Sequence, residues 1–318
     1  MRLLPDAGQR DFAASLNAML SAAGTPSVVR DWSRGDHAGG RALWGRIADA
    51  GVFALAVPEA YGGLGPRPAE LTLAFVELGR HAVPGPLVET VTAAALLTAP
   101  DAARRMLPAL AAGETMATVA RDGGYALDGQ VADVHLSLSS EGLYLAPGHG
   151  PVRPSLDPAR RLTRLAPGGE LLTGHPPVTA ALLVARLTTA AQALGVGLAL
   201  LDRTVSHVKE RTQFGVPIGS FQAVKHRLAD ARIALEFARP LLLGAALTMT
   251  AQDVAAAKVT ACEAAYRTAR TALQLHGAIG YTAEYDLSLW LTRARALRTA
   301  WGGPDECRAT VLSGGRRW

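Results

Sequence analysis

The feature that most constrains the fold is a long stretch of helical periodicity that fills the chain from about residue 177 onward. Leu194, Leu198 and Leu201 recur at the spacing of one helix face, and the same spacing returns in 224–235 and in 255–275. Long amphipathic helices bury their apolar faces against one another. The region therefore predicts an antiparallel C-terminal four-helix bundle over 177–318.

Two different patterns precede the bundle. Residues 1–114 contain several helical runs separated by Gly and Pro, and residues 115–176 change to short alternating runs such as YALDG and HLSLS. Only 5% of the residues are aromatic, which favours close helix packing over a large sheet. We expect a mainly α fold with an N-terminal helical domain, a shortened β middle domain and the bundle. Residues 148–169, rich in Pro, Gly and Arg, are expected to form loop.

Composition excludes several classes of function. The formal charge is +5, but the Arg residues are scattered and no aromatic residues interleave with them, so nucleic acid is not an expected partner. Cys262 and Cys307 are the only cysteines and have no metal-ligand spacing to His, which argues against a disulfide framework or a metal site. The N-terminus does not resemble a leader, and no uninterrupted apolar run reaches the roughly 18 residues of a membrane span. A cytoplasmic location is expected.

Several motifs occur in a fixed order along the chain. They are Ala56-Val-Pro-Glu-Ala-Tyr-Gly-Gly-Leu-Gly65, Glu77-Leu-Gly-Arg80, Arg211-Thr-Gln-Phe-Gly-Val-Pro-Ile-Gly219, Phe221-Gln222 and Gln274-Leu-His-Gly-Ala-Ile-Gly-Tyr281. Singly, each has an ordinary structural explanation, such as a loop glycine, a capping Arg or a core Phe. Together and in this order they resemble the acyl-CoA dehydrogenase family, and the resemblance reaches both ends of the chain.

The resemblance implies an FAD site that is shared between subunits. In the family, the matching residues reach across an interface to the flavin of a neighbouring protomer; here they are Arg211, Gln213, Phe214, Gln274 and Gly277. Their chemistry suits that role. Arg offers a positive fork for a diphosphate, Phe an aromatic surface, Gln amide hydrogen bonds, and Gly a close approach of the backbone. Ala278 stands where the family often has a second Gly, which puts that one contact in doubt.

The catalytic base of the family is missing from both of its usual positions. The reaction removes a proton next to a thioester and passes a hydride to the flavin, so it needs a positioned carboxylate. The triplet that usually carries this Glu has Gly302 at its centre, and the alternative position on the long helix is Ala185. Asp305 and Glu306 lie near the lost triplet and are more readily explained as acids of a first helical turn. Glu263 is more readily explained as a structural or interface residue.

The middle domain is also reduced. Family members usually have a β domain about twice as long, with a Thr-Glu-Pro-x-Ala-Gly-Ser-Asp type segment and a Trp-Ile-Thr segment that hold the isoalloxazine ring. Neither segment occurs between Thr115 and Gly174. A ring-holding platform within this chain is therefore not expected.

Loss of the base and ring platform, together with retention of the cross-interface residues, resembles the degenerate subunit of actinobacterial α2β2 steroid-CoA dehydrogenases. The expected function is that of one subunit of a heteromeric FAD-dependent acyl-CoA dehydrogenase, inactive alone, with a steroid side-chain CoA ester as one candidate substrate. Its expected partners are a full-length dehydrogenase chain carrying the catalytic Glu, the acyl-CoA and an electron-transfer acceptor. Two alternatives remain: a homo-oligomeric dehydrogenase with an unconventional base, and a structural subunit that binds no flavin.

Overall fold

The structure is a computed structural model that describes residues 3–121 and 123–313. Within those ranges the fold is mainly helical, as the sequence predicts, with eleven α-helices and a small amount of sheet. The helices are α1 (Ala7–Ser21), α2 (Thr25–Arg34), α3 (Ala38–Asp49), α4 (Pro68–Arg80), α5 (Leu87–Leu96), α6 (Pro100–Ala111), α7 (Val178–Glu210), α8 (Gln222–Thr248), α9 (Ala251–His276), α10 (Leu287–Thr299) and α11 (Pro304–Ser313). The strands are β1 (Ala117–Arg121), β2 (Ala126–Leu127), β3 (Val134–Ser139), β4 (Gly142–Leu145), β5 (Leu162–Thr163), β6 (Glu170–Thr173), β7 (Thr212–Gln213) and β8 (Val216–Pro217).

The described part of the chain forms two compact units. One unit combines the segment that ends at Ser21 with Phe75–Ala82 and the segment from Arg186 onward. The other unit combines Ala22–Ala74 with Val83–Ala185. The division into 1–114, 115–176 and 177–318 stays a prediction.

The second unit holds the small sheet. Its four strands lie in the order β1-β3-β4-β6, with β1 parallel to β3 and the other neighbours antiparallel. Helix α5 is buried along almost its whole length. The hydroxyl of Thr90 on α5 donates to the carbonyl of Ala117 at 3.0 Å and accepts from its N–H at 3.1 Å. These two hydrogen bonds satisfy the backbone carbonyl and N–H of Ala117, at the start of β1, within the apolar interior.

One sequence expectation for this unit was wrong. Residues 148–169 were expected to form loop throughout, but Leu162–Thr163 is a strand, β5, which pairs with β2 in antiparallel register. The pairing is only two residues long, and Thr163 is fully buried. Such a short run carries no period that could be recognised among the surrounding Arg and Pro residues.

The first unit is built around α7. Residues 190–200 are buried on every side of the helix, as expected of a helix at the centre of a bundle. Glycines allow this close packing: a Cβ at Gly195 would lie 1.9 Å from the carbonyl oxygen of Val76 on α4, and one at Gly197 would lie 3.1 Å from Cα of Ala265 on α9. Glycine at these two positions of α7 thus lets α4 and α9 approach more closely than any residue with a Cβ would permit.

Helix α7 is long and apolar enough to cross a membrane by length and composition. However, 83% of its most apolar 18-residue window is buried inside the fold. The core helices of large bundles show the same burial, so the helix is weak evidence for a membrane span. The sequence expectation of no spanning segment stays a prediction.

Replacement of Gly195 by Ala tests the close crossing of α4 and α7. We expect Gly195→Ala to lower the free energy of unfolding by about 2 kcal/mol, because its methyl group overlaps a backbone carbonyl that cannot move alone. The control is Gly45→Ala on α3, where no atom lies within 4 Å of the added methyl group. In this control the free energy of unfolding should rise by about 0.5–1 kcal/mol, because Ala has a higher helix propensity than Gly. Urea denaturation measures the free energy of unfolding of both variants. Equal changes in the two variants would contradict the close approach of α4 to α7 at Gly195.

Candidate functional site

Two helix ends that carry sequence motifs meet at one end of the bundle. The rings of His207 on α7 and His276 on α9 stack with centroids 4.1 Å apart and an angle of 21° between the planes. Burial lowers the pKa of both imidazoles, which favours the neutral form of each ring and so a stack without charge repulsion. His276 Nδ1 also donates to the carbonyl of Ala272 at 2.8 Å. Arg211 and Gly277 follow these two helices immediately, so both lie at this end.

A short hairpin, β7–β8, projects from the end of α7. The carbonyl of Arg211 accepts from the N–H of Ile218 at 2.8 Å, which closes the hairpin at its base. Phe214 and Gly215 form its two-residue turn with φ of 55° and 79°, the left-handed pair of a type I′ turn. A left-handed conformation costs about 1–2 kcal/mol for a residue with a Cβ. A Phe at this position is therefore strained.

The side chain of Phe214 receives little support from its own chain. It is 92% exposed, and its ring meets the ring of Phe221 edge-on with centroids 6.2 Å apart. The side-chain amide of Gln213 instead folds back and donates to the carbonyl of Thr212 at 2.9 Å. The hairpin tip thus presents an exposed aromatic ring on a strained backbone, an arrangement typical of residues that serve a ligand or another chain.

Gln274 and Gly277 lie on and after the last turn of α9. The guanidinium of Arg227 on α8 donates to Oε1 of Gln274, which fixes the orientation of the exposed amide. Gly277 has φ of 63°, and no atom lies within 4 Å of the position of a Cβ there. Ala278 is exposed. An open cavity of about 610 Å³ adjoins Gln274 and Gly277.

The loop that contains Gly302 is held by a buried lysine. Lys258 on α9 is 1% exposed, and its Nζ donates to the carbonyls of Leu297 at 3.1 Å, Gly302 at 3.2 Å and Arg298 at 3.5 Å. Nζ also lies 3.4 Å from the Sγ of Cys262. Burial raises the pKa of the Cys262 thiol, although the nearby ammonium group opposes that effect. The lysine thus joins α9 to the end of α10 and to the loop beyond it.

A second cation contacts the same loop. Arg186 on α7 is buried, donates through Nε to the carbonyl of Trp301 at 3.1 Å, and forms an ion pair with Glu306. A Cβ at Gly302 would lie 3.2 Å from Nε of Arg186 and 3.4 Å from Oε2 of Glu306. Gly302 has φ of 131°, which favours glycine. Ala185, the other candidate base position, is fully buried within α7.

The remaining candidate acids are engaged in ion pairs. Glu263 Oε1 accepts from Nε of Arg298 at 2.7 Å, and that guanidinium lies over the ring of Tyr266. Asp305 pairs with Arg308 one turn along α11 at 3.0 Å. These contacts agree with the structural interpretation of Glu263 and Asp305. Within residues 3–121 and 123–313, no group of three or more His, Cys, Asp or Glu is arranged to hold a metal ion.

Sequence reasoning missed three residues of this region: Lys258, Arg186 and Arg227. A signal existed for Lys258, because it lies among the alanines and the cysteine of the buried face of α9. A charged residue on such a face is unusual unless polar groups surround it. Arg186 and Arg227 gave no comparable signal, because their partners are distant in the sequence.

Two family profiles match the chain. Residues 173–314 match the family profile "Acyl-CoA dehydrogenase, C-terminal domain", and residues 6–114 match "Acyl-CoA dehydrogenase, N-terminal domain". The chain is 36% identical over 304 residues to acyl-CoA dehydrogenase IpdE2 of Mycobacterium tuberculosis, covering 93% of each protein.

Two solved structures share the fold. One is from the ChsE4-ChsE5 complex of Mycobacterium tuberculosis, with a TM-score of 0.86, 24% identity, and coverage of 99% of this chain and 100% of that one. The other is the Tcur3481-Tcur3483 steroid ACAD G363A variant, with a TM-score of 0.79, 24% identity, and coverage of 96% and 97%. At this level of identity the two likenesses establish the fold.

Replacement of Lys258 tests whether its buried ammonium group holds the loop that contains Gly302. We expect Lys258→Met to lower the free energy of unfolding by about 3 kcal/mol, because buried carbonyls lose their donor. Lys209→Met, at an exposed position of α7, is the control and should change stability by no more than about 0.5 kcal/mol. Urea denaturation measures both variants. A Lys258 variant as stable as the control would show that other contacts hold the loop.

Proposed function

The chain belongs to the acyl-CoA dehydrogenase family, and on that premise we propose that it is one subunit of a heteromeric FAD-dependent acyl-CoA dehydrogenase. The complex desaturates an acyl-CoA thioester between its α and β carbons. A second, full-length dehydrogenase chain holds the flavin ring and supplies the catalytic Glu. This chain lends binding groups for the flavin nucleotide across the interface. The lending residues are Arg211, Gln213, Phe214, Gln274 and Gly277.

The exposed, strained Phe214 is the observation that carries this proposal. A 92% exposed aromatic ring on a left-handed backbone contributes almost nothing to the stability of its own chain. Its retention is accounted for if the ring packs against a ligand or surface supplied by another chain. Burial of one Phe side chain contributes about 1.5–3 kcal/mol, which is enough to offset the strain of the turn.

The groups around the hairpin suit the nucleotide end of FAD. Arg211 is exposed and, among the described residues, forms no ion pair with an acid, so its charge is available to a phosphate. Gln274 offers an oriented amide, and Gly277 leaves open space beside the backbone. When bound, FAD supplies the hydride acceptor of the family reaction. The residues of this chain hold and orient that group, and the proton is removed elsewhere.

The partner must supply the base because this chain has no carboxylate at either family position. Gly302 and Ala185 occupy those positions, and removal of a positioned general base lowers rates by typically 10²–10⁴-fold. The ring-holding segments of the β domain are missing as well. The nucleotide-binding end is thus the part of the flavin site that this chain can provide.

The structural relatives favour a mixed assembly and a large acyl group. ChsE4-ChsE5 is named as a complex of two components, and Tcur3481-Tcur3483 is named as a steroid ACAD. By analogy, we propose that this chain pairs with a different dehydrogenase chain and that the complex accepts a bulky polycyclic acyl-CoA, such as a steroid side-chain ester. A complex equally active on short linear acyl-CoA esters would contradict the substrate class.

A second candidate is a self-sufficient dehydrogenase that uses Glu306 as its base. It is favoured by one observation: Oε2 of Glu306 lies 3.4 Å from the position that a Cβ on Gly302 would occupy, within reach of where the family base would extend. Against it, the same carboxylate pairs with the buried Arg186. This candidate requires a yellow oligomer of the chain alone, with turnover that Glu306→Ala abolishes.

Co-expression with a full-length dehydrogenase chain tests the lending role. After purification through a tag on this chain, we expect a mixed oligomer with about one flavin per two chains. Arg211→Ala and Phe214→Ala should each lower its affinity for FAD by about tenfold, since each removes a charged or aromatic contact. Arg295→Ala, at an exposed position on α10, is the control and should retain its flavin. Unchanged flavin content in the Arg211 variant would instead favour a structural subunit.

A carboxylate placed at position 302 tests whether the partner chain must supply the flavin-ring site as well as the base. We expect isolated Gly302→Glu protein to show no acyl-CoA turnover, because the segments that hold the flavin ring remain absent. In addition, the new Glu residue would have to adopt a φ of 131°, with its side chain beside Glu306. Turnover is measured with an artificial electron acceptor and added FAD. Activity from this single substitution would show that the chain holds the flavin ring by itself.

A further inference from the structure

The stacked histidines at the end of the bundle join two helix ends that are far apart in the sequence. His207 lies in the last turn of α7, and His276 is the last residue of α9. Their rings are nearly parallel with centroids 4.1 Å apart, and the ring of Tyr285 lies 5.6 Å from that of His276. Two imidazoles at this distance repel each other when both are charged. The contact therefore favours neutral rings.

Each histidine is connected through the backbone to residues of the lending set. The carbonyl of His207 accepts from the N–H of Arg211 at 2.9 Å, the bond that completes the last turn of α7. Gln274 lies in the same turn of α9 as His276, and Gly277 follows directly. The turn beyond also rests on His276, because a Cβ at Gly280 would lie 3.1 Å from the Cβ of that residue. A shift of either imidazole would thus move the backbone that carries a lending residue.

The surroundings of His276 favour its neutral form. The residue is 6% exposed, and its Nδ1 donates to the carbonyl of Ala272 at 2.8 Å. Within the part of the chain that the structure describes, its Nε2 is buried and has no hydrogen-bond partner. A proton added there would create a buried charge without an acceptor, next to the ring of His207. Burial lowers the pKa of His276 accordingly, although the bond to Ala272 opposes that effect.

His207 gives the stack its access to protons. It is half-buried and lines an open cavity of about 670 Å³, which Tyr285 also borders. Burial lowers the pKa of His207 most, the neighbouring His276 and Arg211 lower it further, and Glu210 opposes them. Water in the cavity can reach the ring, and a proton taken up there would stand beside Arg211. The other charged or titratable groups that line the cavity are Arg80, His81, Asp202, Arg203, Glu284 and Asp286, and Arg227 of α8 contacts Gln274.

Acid should therefore weaken the stack. The pKa of each imidazole is lower in the folded chain than the ordinary value of 6.5, so a state in which the stack has opened binds the proton more tightly than the closed state does. The contribution of the stack to stability is complete above pH 6.5 and is lost as the pH falls below that value. Histidine is the side-chain type that ordinarily titrates in this range.

We propose that His207 and His276 are positioning residues of the flavin-lending end, whose neutral stack holds Arg211 and Gln274 in place and whose protonation weakens the binding of the flavin. The inference rests on the proposed function, because it takes the two motifs to lend contacts to a flavin. Neither imidazole needs to touch the cofactor. The stack acts through the ends of α7 and α9, and it makes the lending dependent on pH.

Titration of the mixed oligomer with FAD, followed by flavin fluorescence, tests the positioning role. We expect the affinity to fall about three- to tenfold from pH 7.5 to pH 5.5, the range in which one opened histidine takes up its proton. His207→Ala removes the ring and should weaken binding at pH 7.5 about threefold or more. His207→Phe keeps a ring against His276 but cannot be protonated. It should restore most of the affinity lost in the Ala variant and remove most of the fall with pH.

The matched control is His175→Ala, which removes an exposed histidine of the other compact unit. Its FAD affinity and the pH dependence of that affinity should equal those of the unmodified complex. The partner chain is the same in every sample, so the differences among variants report on this chain. Equal pH dependence in His207→Phe and His175→Ala would overturn the proposal, and so would equal affinity of His207→Ala and His175→Ala at pH 7.5.

Amide hydrogen exchange in the purified chain alone gives a readout that needs neither partner nor flavin. The N–H of Arg211 is protected by its bond to the carbonyl of His207. From pH 7.5 to pH 5.5 we expect its protection factor, corrected for the intrinsic effect of pH on exchange, to fall about three- to tenfold in the unmodified chain and in His175→Ala. In His207→Phe the fall should be less than about twofold. Circular dichroism at both pH values checks that each variant is folded.

The positioning role and the lending role fail in different ways. If Arg211→Ala loses flavin while the His207 variants bind it at both pH values as His175→Ala does, the lending role stands and the positioning role fails. If no mixed oligomer forms but the protection of Arg211 depends on His207 as expected, the lending role fails, and the stack stands as the contact that holds the end of α7. Protection of Arg211 that is unaffected by His207→Phe would show that the stack does not hold that end.

Discussion

The buried ammonium group of Lys258 joins two helices and a loop of the bundle. A charge removed from water requires polar partners on several sides, and here they come from the carbonyls of Leu297 and Gly302, with Arg298 at a longer distance. The first of these partners lies near the C-terminus of α10, where the helix dipole also favours a cation. Any shift of α9 against α10 would break these bonds together. Lys258 thus helps to fix the register of the two helices and, together with Arg186, the course of the loop that leads to α11.

Helix α9 carries buried polar side chains in its middle and exposed ones toward its end. Cys262 and Lys258 lie in the interior, whereas Arg267 and Arg270, two turns further on, are exposed and uncompensated. A single helix thus carries a structural cation in its interior and exposed cations toward its end. Such an arrangement positions the end groups with the precision of the core, which a loop would not provide. The hairpin at Phe214 lacks that support and depends on its two-residue turn.

The sequence predicts the fold class because the long helices have clear periodicity, and most helix positions follow from that periodicity. Among the helical runs that it predicts in residues 1–114, none corresponds to α2, a ten-residue helix of mostly polar character that begins after Gly24 in the left-handed conformation. It also missed β5, for which tertiary pairing with β2 outweighs local composition. The motif residues Arg211 and Gln274 were found by their resemblance to a family. The contact that joins their helices, the stack of His207 on His276, depends on tertiary geometry and has no local signal.

The loop at Gly302 shows why a catalytic carboxylate would be out of place in this chain. A residue with a carboxylate at this position would have to adopt a φ of 131°, and its Cβ would lie 3.4 Å from Oε2 of Glu306, so a second negative charge would be brought close to that side chain. Arg186 pairs with Glu306 and also donates to the carbonyl of Trp301, so both of these contacts serve the loop as it stands. With Lys258 bound to the carbonyl of Gly302 as well, the loop is satisfied as a structural element.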